Sequence, residues 1–361
     1  MEVIFFVSGA RDYQAMDWYR MLKEACSTKR FVFVTDLVSS EGYEKLIKDD
    51  DDIIELYNID RFLFTNQSKY GNVWRNIVKL LFFPLQAWRL RGISRNNPAS
   101  IFHAHTMYYM FLCWAAGISY IGRPQASEIL IRTKKSRIYK YFAIKSLLAA
   151  DQIIIDSINM QNKVFQLCGK QSTIIQNWID IIAISNTINN TCKTENVVSI
   201  RGFAPLYRID EIFDARERSL HNPRLQLIYP FSEDAYKDKV SKKLQVGDLD
   251  IGRLSRDKMY ELLVSVKLVI SIPMSDSSPR SVYESIFCGC CVAVTYNPWI
   301  DVLPKCMKAR LIIVNLEDDQ WLERAIGHAN LITKKIYKPS EMALNMFDQR
   351  KLMQIIVDRF Y

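Results

Sequence analysis

A recurrence constrains this chain most: short, continuous runs of β-branched and aromatic residues return at intervals, separated by stretches of helical length. They are VIFFV at 3–7, FVFVT at 31–35, IFHAH at 101–105 and QIIID at 152–156. VVSIR at 197–201, LQLIY at 225–229, KLVISI at 267–272, CVAVT at 291–295 and LIIVN at 311–315 follow. A strand with one wet face alternates apolar and polar residues, whereas a run apolar throughout is covered on both faces, as parallel strands are when helices cross over them. The chain therefore reads as α/β throughout. Its 361 residues exceed one ordinary core and suit two domains of about 150 residues each. NWIDIIAISNTINNTCKTEN, 177–196, is rich in Asn and Thr without a sustained period and reads as the connection between them.

Hydrophobic residues make up 49% of the chain and charged residues 24%, which excludes a disordered polypeptide. The N-terminal MEVIFFVSGARDY lacks a basic n-region and an h-region of sufficient length, so a first strand is expected there rather than a signal peptide. The longest apolar stretch, 108–122, is shorter than the roughly 20 residues that span a bilayer. Eight cysteines, three of them crowded at Cys288, Cys290 and Cys291, read as small core residues in a reducing cytoplasm. The C-x-C-C spacing has no partner motif and no nearby His, so no zinc site is expected.

The net charge of +9 is unevenly placed. Between Arg61 and Ala150 stand 14 Lys and Arg against a single acid, Glu128. A basic surface in the N-terminal half calls for an anionic partner. Residues 73–95 mix Trp, Phe and Leu with Arg and Lys, the composition of a segment at a lipid headgroup boundary, or of a buried helix pair broken at Pro84. Residues 132–145 form a second basic cluster facing anionic lipid or a phosphorylated acceptor. No nucleic-acid-reading module is recognisable, so nucleic acid is not expected as a partner.

The segment SDSSPRSVYESIFCGCCVAV, 275–294, carries the densest chemistry. It reads as a loop after the strand at 267–272, a helix started by Pro279 and stopped by Gly289, and a further strand. Loops at the carboxyl ends of strands in doubly wound sheets are where ligands bind, and the amides of a helix start suit a phosphate. Asp276 lies in that loop and Glu284 in the helix, eight positions apart. Asp276 read alone serves equally well as a helix cap. Glu284 sits among Val282, Ile286 and Phe287, where a carboxylate needs a partner. His103 and His105 alternate on one strand and are read as facing opposite sides, at least one of them a satisfied buried histidine.

An acid, seven residues, then Glu, followed by a small-residue helix, Gly and an apolar strand, resembles the E-x7-E signature of the GT-B glycosyltransferases of family 4. The order continues in HAH at 103–105, AADQIIIDS at 149–157, IIQNWID at 174–180, VSIRGFAPLYRID at 198–210 and DLDIGRLSRDKMYELL at 248–263. The resemblance implies a GT-B architecture of two Rossmann-like domains facing across a cleft: 1–178 on the acceptor side, 179–339 holding the nucleotide sugar, and a helical segment 340–361 that crosses back. It implies transfer of a sugar from a nucleotide-sugar donor to a glycan or lipid-linked acceptor, with retention, in surface polysaccharide synthesis. No cofactor or essential metal is implied; from the cysteines and the basic segments 73–95 and 132–145, the expected location is cytoplasmic, peripheral on the inner membrane face.

In this resemblance Asp276, one methylene shorter than the usual Glu, contacts the sugar, and Glu284 holds the ribose. Arg201 neutralises the phosphates, and His105 faces the sugar. Ser277, Ser278, Arg280, Ser281 and Val282 complete the donor-binding set, with Gly9 and Arg11 on the acceptor or diphosphate side. No lysine follows Arg201 closely, and Arg208 is the nearest cation. The rival readings are a GT-B sugar-nucleotide epimerase or hydrolase, which needs no acceptor, and a non-enzymatic lipid- or nucleic-acid-binding protein.

Overall fold

In the computed structural model the described residues are 2–10, 13–38, 43, 52–63, 69–188 and 193–361. They form two compact units: Met1–Gln176 with Arg350–Tyr361, and Asn177–Gln349. The expected break at 340 thus falls ten residues later, and the helix Glu341–Phe347 belongs to the second unit.

The first unit holds a seven-stranded sheet: β1 (Val3–Val7), β2 (Arg30–Thr35), β3 (Asp52–Glu55), β4 (Ile101–His105), β5 (Ile121–Arg123), β6 (Gln152–Ile155) and β7 (Thr173–Ile174), in the order β3-β2-β1-β4-β5-β6-β7. The second holds β8 (Thr194–Ser199), β9 (Leu225–Ile228), β10 (Leu249–Gly252), β11 (Val266–Ser271), β12 (Cys291–Val294) and β13 (Leu311–Ile313), in the order β10-β9-β8-β11-β12-β13. Every pairing is parallel. In both sheets the order reverses once, between β1 and β4 and between β8 and β11, which is the doubly wound arrangement.

The nine apolar runs all become strands, buried through most of their length. The described residues of the segment 177–196 carry regular structure: Ile179 bridges to Asp348, Asp180 caps the helix Ile181–Thr187, and β8 begins at Thr194; residues 189–192 lie outside the described residues. Nor is the chain broken at Pro84, which lies inside one helix, Lys69–Asn96. The seven described cysteines are free, with Cys288, Cys290 and Cys291 buried. No helix among the described residues is long and apolar enough to cross a membrane.

Gly289 ends the helix Arg280–Phe287 with φ +82°, and its amide and that of Cys290 donate to the carbonyls of Ile286 and Ser285. This double closure satisfies the last carbonyls and needs a residue without a Cβ at the left-handed position.

Gly9 answers a different need. A Cβ there would lie 2.6 Å from the Tyr109 hydroxyl. That hydroxyl donates to Asp36 at 2.5 Å, and Asp36 is fully buried beside Lys79 at 3.3 Å and the Gln86 amide at 3.4 Å. A side chain at Gly9 therefore displaces a donor from a buried carboxylate, which costs about 1–3 kcal/mol. Gly9→Ala should lower the urea midpoint accordingly, and in a Tyr109→Phe background, where the hydroxyl is already gone, the same change should cost less. Additive costs in that double-mutant cycle would refute the coupling.

Candidate functional site

In the second unit the loops after β8 and β11 leave the sheet at its switch point, where neighbouring crossovers run to opposite faces and open a crevice at the strand ends. Arg201 follows β8. Its Nε donates to Ser271 Oγ at the end of β11, and its Nη2 donates to Asp276 Oδ2, both at 2.6 Å. The guanidinium thus spans the crevice and pairs with the loop acid. Asp276 Oδ1 accepts from the Ser277 amide, and the helix N-cap is Pro279, without a side-chain cap bond. The capping reading of Asp276 is set aside by this geometry.

Ser278 is buried and tied to Asn177, whose amide donates to its Oγ at 3.3 Å and whose side chain donates to its carbonyl at 2.8 Å. Past Pro279, the amides of Val282 and Tyr283 donate back to the Pro279 carbonyl. The Val282 side chain is fully buried in the core, so it presents nothing to a ligand. Ser281 lines an open recess of about 250 Å³ beside Arg201.

Glu284 is 4% exposed, and its need for partners is met. Tyr260 Oη donates to Oε1 at 2.9 Å, and Arg280, one turn earlier, stands 3.3 Å from the same oxygen. Oε2 has no hydrogen-bond partner among the described residues. The site therefore holds two carboxylates in different states, Asp276 partly exposed in an ion pair and Glu284 enclosed by a phenol and a guanidinium.

The recess beside Arg201 adds residues that the sequence reading passed over: Gly202, Tyr207, Tyr229, Phe231 and Arg253. They stand on loops beyond β8, β9 and β10. Tyr207 meets Phe231 edge-on at 5.9 Å, and a Cβ on Gly202 would come within 2.9 Å of the Phe231 ring. The signal for them was the topology, since aromatic residues at the ends of adjacent parallel strands converge only once strand order is known. The DLD acids are occupied elsewhere. Asp248 forms a buried ion pair with Arg216, and Asp250 pairs with Lys237 at 2.9 Å and accepts from Tyr229 at 2.6 Å. Arg208 has left-handed φ and ψ of 53° and 44°. No group of three or more His, Cys, Asp or Glu suited to a metal occurs among the described residues.

At the matching switch point of the first unit stand Gly9 and His105; Arg11 lies outside the described residues. His103 and His105 share one face, as residues two apart on a strand must, and their rings are 5.8 Å apart. The opposite-face reading is corrected, and both histidines are fully buried. His105 Nε2 lies 3.2 Å from Arg123 Nη1, and burial together with that guanidinium holds its pKa well below the usual range. His103 Nδ1 meets the Tyr361 hydroxyl at 2.5 Å, and burial, aided by Arg123, brings its pKa down to about 3. Both rings are neutral at pH 7.

No protein-family model matches the chain, and no curated protein matches it in sequence. Solved structures do match in fold. HepE of Anabaena, solved with UDP, superposes with a TM-score of 0.72 at 14% identity, covering 99% of both chains. Sucrose-phosphate synthase from Thermosynechococcus elongatus gives 0.71 at 11% identity over 99% of this chain and 98% of that one. The lipopolysaccharide outer core galactosyltransferase WaaB gives 0.64 at 11% identity over 98% of both. The likeness spans the whole chain and shows the fold, GT-B with two Rossmann-like units.

The histidine pair yields a pH dependence with a definite sign. An unfolded histidine takes up a proton near pH 6.5, whereas folded His103 stays neutral down to about 3. Its contribution is present in full above pH 6.5 and is lost as pH falls, by about 1.4 kcal/mol per unit. Urea unfolding at pH 7, 6 and 5 should show His103→Gln losing less stability per unit than the parent. Equal slopes would mean that His103 titrates normally in the folded chain.

Proposed function

We propose that this chain is a glycosyltransferase of the E-x7-E, family 4-like type. In this reading it takes a sugar from a nucleotide-sugar donor held on the second unit and transfers it, with retention, to a glycan or lipid-linked acceptor in surface polysaccharide synthesis. The observation that carries the reading is the Arg201–Asp276 pair across the β8/β11 switch point, with Glu284 one and a half turns further along. Support also comes from a relative in fold, since HepE was solved with UDP and with UDP-glucose.

The donor's diphosphate exchanges places with a carboxylate. Arg201 is already positioned by Ser271, so turning its charge from Asp276 to a phosphate requires no rebuilding of the arginine. The start of the helix Arg280–Phe287, with its partial positive charge, lies beside the same anion. Asp276, released from the guanidinium, becomes an acceptor for a sugar hydroxyl. Glu284, held through Oε1 by Tyr260 and Arg280, offers Oε2 to the ribose. The aromatic recess of Tyr207, Tyr229 and Phe231 suits the flat face of the base.

In the transfer the anomeric bond to the diphosphate breaks, the acceptor oxygen bonds the same carbon, and the acceptor's proton passes to the departing phosphate. Charge accumulates on that phosphate, and Arg201 with the helix start is aimed at it. The reading assigns no metal.

Thermal shift with UDP, GDP, ADP and CMP tests donor binding. One nucleotide should raise the melting temperature, because a ligand at about 100 times its Kd adds roughly 2.7 kcal/mol. Glu284→Ala should abolish that shift, and Arg201→Ala should lower kcat/KM for transfer on the order of 10²-fold or more. No shift with any of the four nucleotides, or nucleotide binding unchanged in Glu284→Ala, would overturn the site. Rapid acceptor-free conversion of a nucleotide sugar would point to an epimerase or hydrolase.

A further inference from the structure

The helix Lys69–Asn96 faces the wrong way for a protein in water. Val78, Gln86, Ala87 and Leu90 turn inward and are buried. Val73, Ile77, Leu80, Leu81, Leu85 and Trp88 turn outward, with Leu80, Leu81 and Trp88 each exposed to about 70%. Their spacing of three, four and seven places them on one face over more than four turns. Single exposed apolar residues need no explanation, but a continuous face of large ones marks a surface that is normally covered.

What covers it is indicated by charge. At the carboxyl end of the helix, Arg89, Arg91 and Arg95 line an open recess of about 520 Å³ next to Trp88. On the other side of the Met107–Ala116 helix lies the helix Arg137–Ala149, joined to it by ring contacts of Phe111 with Tyr139 and of Trp114 with Phe142. Phe83 and Lys79 of the long helix pack on Tyr108 of the same central helix. The two outer helices therefore flank one element. The second is preceded by exposed Lys134 and Lys135 and carries exposed Arg137, Lys140, Ile138 and Tyr141. Glu128, the lone acid between residues 61 and 150, is buried and accepts from the amides of Met107 and Gln125. This layer shows no exposed carboxylate, so a second copy of it would meet like charge.

We propose that this layer docks on an anionic phospholipid bilayer. The Val73–Trp88 face enters the headgroup boundary, the arginine recess takes a lipid phosphate, and the Lys-rich helix adds surface attraction. The proposal is independent of the donor assignment, and its readout involves no nucleotide.

Sedimentation with vesicles of phosphatidylcholine alone, and with about 30% phosphatidylglycerol, tests it. The parent chain should bind the anionic vesicles and release from them in about 0.5 M salt, because the charge contribution is screened. The triple variant Leu81→Ser/Leu85→Ser/Trp88→Ser changes only exposed positions and should bind at least tenfold more weakly with its melting temperature unchanged. Arg91→Glu/Arg95→Glu should also lose on the order of tenfold or more. The proposal is overturned if the parent fails to bind, if it binds neutral and anionic vesicles equally, or if the triple variant binds like the parent. It is also overturned if the parent is a dimer that the triple variant dissociates, since the face would then be covered by a second copy.

Discussion

A parallel sheet cannot turn back on itself; each strand must be followed by a crossover that returns the chain to the opposite end. Because that crossover is right-handed, the side on which a helix lies is set by the direction in which the strand order runs. Where the order reverses, at β1/β4 and at β8/β11, adjacent loops depart to opposite faces and leave the strand ends uncovered. Gly9 and His105 stand at one reversal, Arg201 and Asp276 at the other. The pairing of residues 75 positions apart in sequence is thus a consequence of winding, and the chemistry is laid over it.

The charges in the second unit fit that view. Arg201 is fixed by a neutral hydroxyl and balanced by one acid, an arrangement in which the acid can be replaced without unseating the arginine. Glu284 is held more tightly, by a phenol and by a guanidinium a turn earlier in its own helix. Removing Tyr260 Oη would leave a nearly buried carboxylate short of a donor, so burial makes Glu284 a fixed point and partial exposure makes Asp276 an exchangeable one.

The sequence revealed the parts that local chemistry dictates and missed those that depend on long-range order. The nine strands were legible because burial on both faces forces an unbroken apolar run, and Gly289 because a left-handed helix end excludes a Cβ. Four strands escaped notice. β3, β7 and β10 lie at sheet edges or are short, and β5, Ile121–Arg123, is interrupted by a glycine whose added Cβ would meet Met110 at 2.6 Å. The family-like order of segments brought Arg201, Asp276 and Glu284 into view, yet it could not show that the first two bind each other. Val282 turns its side chain into the core while its neighbour Ser281 lines the recess, because neighbours on a helix point about 100° apart. The histidine pair was misread through a slip in periodicity rather than a lack of signal.

The long helix shows how a polar contact can decide what hydrophobicity leaves open. Apolar and polar residues are mixed around Lys69–Asn96, so its own pattern does not say which face turns inward. Lys79 and Gln86 are seven residues apart, on one face, and both reach Asp36, while Tyr108 donates to Gln86 Oε1 at 2.6 Å. A buried carboxylate without those partners is far costlier than an exposed leucine. The helix therefore rotates to satisfy Asp36, and the ridge from Val73 to Trp88 is left outside as the smaller penalty. An apolar surface created in this way persists because moving it inward would strand a charge, and water is a poor medium in which to leave it.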